Sequence, residues 1–126
     1  MTQEEKQLLL KDLCARIPYD TLVQLNPGAY GKPQTCRLTG VDDGEVYLNV
    51  DPDPFRIYNI RPYLRPMSSM TKEEEKERNN IALFHSGNIA SVPTYIDFLN
   101  KHHFDYRGLI EKGLALEAPR DMYKIN

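Results

Sequence analysis

FRIYNIRPYLRPMSSMTKEEE, residues 55–75, changes its period once, and that change decides how the chain is organised. Its first half interleaves Arg56, Tyr58, Arg61, Tyr63 and Arg65 with Phe55, Ile57, Ile60 and Leu64. Alternate residues of a strand face opposite sides, which would put Arg56, Tyr58 and Ile60 on one face and Phe55 and Ile57 on the other. Arg61-Pro62 and Arg65-Pro66 bias the residue before each proline toward extended backbone. Past Pro66 the pattern turns helical. Thr71 and Glu74 have the spacing of a capping box, and Glu73, Glu74 and Glu75 complement the positive end of a helix dipole. The stretch therefore reads as a junction, where the last strand of a sheet bends through prolines into a capped helix.

Upstream, Thr2 and Glu5 repeat the capping-box spacing, and a helix is expected over 3–16. Leu9, Leu10, Leu13, Cys14 and Ile17 form its apolar face, and Pro18 closes it. The period then shortens. Residues 21–25 suit a strand, and 26–28 and 31–33 carry turn residues. Residues 35–41 and 45–50 suit two arms of a hairpin around Asp42, Asp43 and Gly44. Residues 51–54 (Asp-Pro-Asp-Pro) read as a loop. Short strands between such turns suit a small curved antiparallel sheet. Its natural closed form is an SH3-like barrel, because closure removes exposed edges.

Downstream, Glu74 and Arg78 would form an i,i+4 pair on a second helix whose first turns are solvated. Burial would begin at Ile81, Leu83 and Phe84, and residues 85–88 would break the helix. A third helix, capped by Ser91, would run to His102. A short helix over 105–112 would end at Gly113, before a last extended piece over 114–118. The expectation is one α+β domain over 1–126, with a helix-plus-sheet half (1–66) and a helical half (67–126) packed on it.

Composition narrows the function classes. The chain has 126 residues, 40% hydrophobic and 27% charged, with net charge -2. Its mean hydropathy is -0.57 and its pI about 5.9. This is the profile of a soluble globular protein without general attraction to polyanions. No apolar run is long enough to span a membrane, and the polar start (Thr2, Gln3, Glu4, Glu5) is unlike a secretory signal. Cys14 and Cys36 lack metal-ligand or redox spacing and fit a buried, reduced pair in the cytosol.

The candidate binding residues are Arg56, Tyr58, Arg61, Tyr63 and Arg65. Guanidinium and phenol groups on a sheet face suit partner or nucleic-acid contacts. The plainer alternative is packing at a sheet–helix junction, with Arg61 or Arg65 paired to Asp105, Glu111 or Glu117. Tyr106 and Arg107 are of the types that anchor interfaces. Asp105 beside them would cap the helix that follows. His85, His102, His103 and Asp105 lack a metal motif, and adjacent histidines on a helix diverge by about 100°. Ser68 and Ser69 have no motif partner, and the glycines form neither a P-loop nor a dinucleotide fingerprint. No catalytic residue, metal or cofactor is expected. An enzyme with a site of His85, His103 and a carboxylate is the weakest reading.

Two segments carry a resemblance. IRPYLRPMSSMT (60–71) with its acidic helix start, and HFDYRGLI (103–110) continuing as EKGLALEAP to Pro119, resemble a family of small bacterial proteins. Residues 4–17 and 38–41 are similar as well. Members recur in gut anaerobes beside phage-like or other mobile genes. The resemblance implies a bacterial cytosolic protein of mobile-element origin. It implies no activity and supplies no catalytic residues. The expected function is therefore a non-enzymatic binding or accessory protein that contacts a protein partner. Weak nucleic-acid binding through the Arg/Tyr sheet face is the alternative.

Overall fold

Thr2 begins the first helix. Its Oγ1 accepts from the Glu5 N–H (3.1 Å) while its own N–H donates to Glu5 Oε1 (2.8 Å). Such a cap is worth about 1 kcal/mol. In the computed structural model, which describes residues 1–26, 31–85 and 91–123, helix α1 spans Gln3–Arg16. Leu9 and Leu13 are fully buried on its inner face. Cys14 is exposed, which corrects the expectation of two buried thiols. It sits beside the stripe instead of within it. A 3₁₀ turn, Ile17–Tyr19, then leads into the sheet.

The sheet has six strands: β1 Leu22–Leu25, β2 Gln34–Asp42, β3 Glu45–Leu48, β4 Asp51–Arg56, β5 Ile60–Leu64 and β6 Leu116–Glu117. Their order is β4-β3-β2-β1-β5-β6. All neighbours are antiparallel except β5 and β6. Register shifts between Leu38 and Gly40 and between Val46 and Leu48 bend the ladder. Val23, Leu25, Cys36, Leu38, Val46, Leu48, Ile60 and Leu64 bury one side against Leu9 and Leu13 of α1.

This is the α+β architecture expected, but the sheet stays open. β4 and β6 are its two edges, and the barrel closure does not occur. The 3₁₀ turn Ile57–Asn59 breaks the strand expected over 55–60 and separates the edge strand β4 from β5, which pairs with β1. Ile60 then faces the core, fully buried, so it does not share an outer face with Arg56 and Tyr58. A second correction concerns residues 51–54, which form strand and not loop. Pro52 and Pro54 are admissible there because β4 is an edge.

After β5, a 3₁₀ turn, Met67–Ser69, leads to α2, Lys72–His85; α3 is Ser91–Lys101. Phe98, Leu99 and Phe104 form a second buried cluster, against which Met70, Ile81 and Tyr95 pack. Residues 105–108 are irregular and 109–113 form a turn, not the expected short helix. Asp105 still caps them, accepting from the N–H groups of Leu109 (2.8 Å) and Ile110 (2.9 Å). The side chains of Leu83, Phe84, His85 and Ser91, and the turns expected at 27–28 and 86–88, lie outside the described residues. No helix among the described residues is long and apolar enough to cross a membrane.

Candidate binding surface on β5 and its cleft

β5 alternates cleanly. Ile60, Pro62 and Leu64 are buried, Arg61 is exposed and Tyr63 half-buried. Arg61 stands opposite Gln24 of β1, and Arg37 of β2 stands opposite Leu22. Directly paired residues share a face, so Arg37, Gln24, Arg61 and Tyr63 lie together on the side turned away from α1. Tyr63 is followed across the sheet by Leu116 of β6.

Arg65 continues the same alternation but is covered. It is 8% exposed. Its Nη1 and Nη2 each donate to a Glu74 carboxylate oxygen at 2.7 Å, a two-pronged contact. The same two nitrogens also donate to the carbonyls of Ser69 (Nη2, 3.0 Å) and His102 (Nη1, 3.3 Å). The guanidinium lies 4.4 Å from the Phe104 ring centroid. Its backbone is fixed too: the Arg65 N–H donates to the His103 carbonyl, and the Arg65 carbonyl accepts from the Asp105 N–H, both at 2.8 Å.

Glu74 is the hub of this junction. The Thr71–Glu74 capping box forms, with Glu74 Oε1 accepting from the Thr71 N–H (2.9 Å) and Thr71 Oγ1 accepting from the Glu74 N–H (3.2 Å). The carboxylate thus caps α2 and binds Arg65 at once. It does not pair with Arg78 as the i,i+4 spacing suggested, and it is 2% exposed in a helix start expected to be solvated. Burial pushes its carboxyl up, but the Arg65 and Thr71 hydrogen bonds outweigh that and hold it below the ordinary glutamate value. The His102 ring nitrogens lie 3.2 Å from Glu74 Oε2 and 3.2 Å from Glu77 Oε2.

Beside Arg65 a cleft of about 980 Å³ opens between residues 65–71 and 117–123. Arg65, Pro66, Ser69 and Thr71 line one wall; Glu117, Ala118, Pro119 and Arg120 line the other. Tyr123 closes one end. Its hydroxyl accepts from the Leu22 N–H (2.8 Å) and donates to the Tyr63 carbonyl (2.8 Å), sealing β1 to β5. Burial pushes this phenol far up. The His103 ring stacks on Tyr123, with centroids 3.7 Å apart. His103 is buried, and burial together with the Arg16, Arg65 and His102 charges pulls its pKa down to about 4. It is therefore a neutral packing group at ordinary pH.

Tyr106 and Arg107 are engaged internally. Arg107 Nε donates to Asp12 Oδ1 (3.1 Å), and the Tyr106 hydroxyl donates to Asn100 Oδ1 (2.8 Å). The guanidiniums of Arg16 and Arg107 lie 5.2 Å and 5.0 Å from the Tyr106 ring centroid. Asp12 and Arg16 are both fully buried and paired at 2.8 Å, and Arg16 Nη2 donates to the Phe104 carbonyl at 2.6 Å. Sequence reasoning missed this pair. The signal was present, since Asp12 and Arg16 fall at helical spacing from Leu9 and Leu13 within the apolar stripe.

Of the seven candidates, Arg56, Tyr58, Arg61 and Tyr63 retain access to solvent, and none of the four forms a salt bridge among the described residues. Arg56 is exposed opposite Glu45 on β4. Tyr58 is 58% exposed in the 3₁₀ turn, with Lys6 Nζ 5.7 Å from its ring centroid. Arg61 and Tyr63 share the face from which Arg65 lines the cleft, whereas Arg56 and Tyr58 lie toward the opposite edge. Among the described residues no three His, Cys, Asp or Glu side chains are grouped to hold a metal. No protein-family model, curated protein or solved structure matches the chain.

Proposed function

We propose that this chain is a non-enzymatic binding protein that engages a partner protein through the outer face of β5 and the adjoining cleft. The observation that carries the reading is the placement of Arg61 and Tyr63. They are interface-prone residue types on an outer sheet face, the face from which the locked Arg65 lines a cleft of about 980 Å³. The site is rigid because β5 is pinned by β1, β6, Tyr123 and Glu74, so little ordering cost would fall on binding. The reading includes a bacterial cytosolic setting and an accessory role on a mobile element, on the strength of the two resembling segments.

The test is affinity capture from a bacterial lysate with the intact chain and with an Arg61→Ala/Tyr63→Ala variant of unchanged melting temperature. A partner held by the intact chain and lost from the variant supports the reading. Retention of every captured partner by the variant contradicts it. Arg37 and Arg61 on one face favour nucleic acid as the second reading. Its signature is binding that weakens steeply with salt, because each neutralised phosphate releases counterions. No shift of RNA or DNA oligonucleotides at low salt removes it.

A further inference from the structure

The two edges of the open sheet are built differently. On β4, Pro52 and Pro54 have no N–H to offer, and the Asp53 N–H is taken by Asp51 Oδ1 at 2.9 Å. The acidic side chains of Asp51 and Asp53 are exposed there as well. Proline, exposed charge and short length are usual means of keeping another strand away.

β6 shares some of these guards, being two residues long with the exposed Glu117 carboxylate and Pro119 beyond it, but unlike β4 it keeps an outward N–H. The Ala118 N–H donates to the Leu64 carbonyl at 2.8 Å, and Leu64 pairs with Glu117 in parallel register. In a parallel ladder, alternate residues direct both backbone groups to the same neighbour. Leu116 and Ala118 therefore face β5, and the N–H and C=O of Glu117 face outward. Glu117 is exposed, and outside the β5 ladder no hydrogen bond among the described residues engages it. Glu117, Ala118 and Pro119 are also one wall of the cleft.

We propose that the partner presents an extended peptide segment that adds as a further strand at Glu117 and lays an apolar side chain between Pro66 and Pro119. This rests on the reading of the chain as a binding protein and names the form its partner takes. Main-chain hydrogen bonds from Glu117 set the register, and the cleft reads the side chain, the division of labour usual for strand addition. Because the edge is two residues long, the added strand gains few main-chain bonds. Selectivity then falls on the cleft, and the outer face with Tyr63 and Leu116 continues the contact.

The probe is a displayed library of random linear peptides selected against the full chain. Enriched peptides are expected to bind about tenfold more weakly to Glu117→Pro, which removes the outward donor, and with unchanged affinity to Tyr58→Ala. N-methylation of the central amides of a selected peptide is expected to weaken binding by a similar factor with the protein left intact. Selected peptides that tolerate both changes overturn strand addition. If those peptides instead lose affinity to Arg61→Ala/Tyr63→Ala, the binding-protein reading stands and only the edge is wrong. A selection that enriches nothing overturns the peptide proposal alone, because lysate capture tests folded partners separately.

Discussion

Arg61 and Arg65 leave β5 on the same face, and their surroundings give them opposite roles. Arg61 stands exposed beside Gln24 and forms no salt bridge among the described residues. Arg65 is enclosed by Glu74, the Ser69 and His102 carbonyls and the Phe104 ring. The identical residue type, in the same alternation, is surface in one place and architecture in the other. What differs is the chain that follows. Pro66 and the 3₁₀ turn Met67–Ser69 fold the start of α2 back over Arg65, while Arg61 stays exposed. A run of arginines and tyrosines therefore does not define a binding ribbon until the covering elements are known.

The sharpest way to break this contrast is to remove the cover's anchor. Glu74→Ala leaves the Arg65 guanidinium buried without a counter-charge and deletes half of the α2 capping box. Breaking one side of a buried pair costs about 3–5 kcal/mol, and urea unfolding is expected to show a loss of that size. An effect like that of a surface substitution would mean that Arg65 is as free as Arg61.

A second test uses acid. The folded His103 has its pKa near 4, against an ordinary value of 6.5. Between these values the unfolded chain takes up a proton that the folded chain refuses. The stability contributed by neutral His103 is thus complete above about pH 6.5 and lost as pH falls toward 4. The full shift corresponds to about 3 kcal/mol. Glu74, held below the ordinary glutamate value of 4.5, starts to lose its own contribution as pH falls below that value and its carboxylate protonates. His103→Asn keeps a residue type that tolerates the positive φ of 63° and is expected to flatten the melting temperature between pH 6.5 and 4. An unaltered slope would place the acid sensitivity elsewhere.

The sequence shows clearly where a local pattern carries the element. The Thr2–Glu5 and Thr71–Glu74 boxes, α1 and the β2–β3 hairpin all follow from spacing and turn residues. It fails where a long-range contact decides. Asp-Pro-Asp-Pro reads as a loop, because proline is normally excluded from ladders, yet it forms an edge strand whose outer side needs no partner. A 3₁₀ turn at Ile57–Asn59 breaks the strand expected over 55–60, and closure depends on pairing between the distant edges β4 and β6, which no local pattern encodes. In the candidate site, Arg61 and Tyr63 are visible as types and as a face. Glu117, whose role depends on an unpaired edge, carries no pattern of its own. The pairing of Arg65 with Glu74 was hidden because Glu74 already had two satisfactory local explanations, a cap and an i,i+4 partner for Arg78.

The most direct measurement is a pair of urea titrations, on Arg61→Ala and Arg65→Ala. Arg61→Ala is expected to stay within about 0.5 kcal/mol of the parent, as surface substitutions do. Arg65→Ala is expected to lose about 3–5 kcal/mol, because it leaves the buried Glu74 carboxylate without its guanidinium. Equal losses for the two would contradict the division of β5 into a free surface and a locked junction, and with it the proposed binding face.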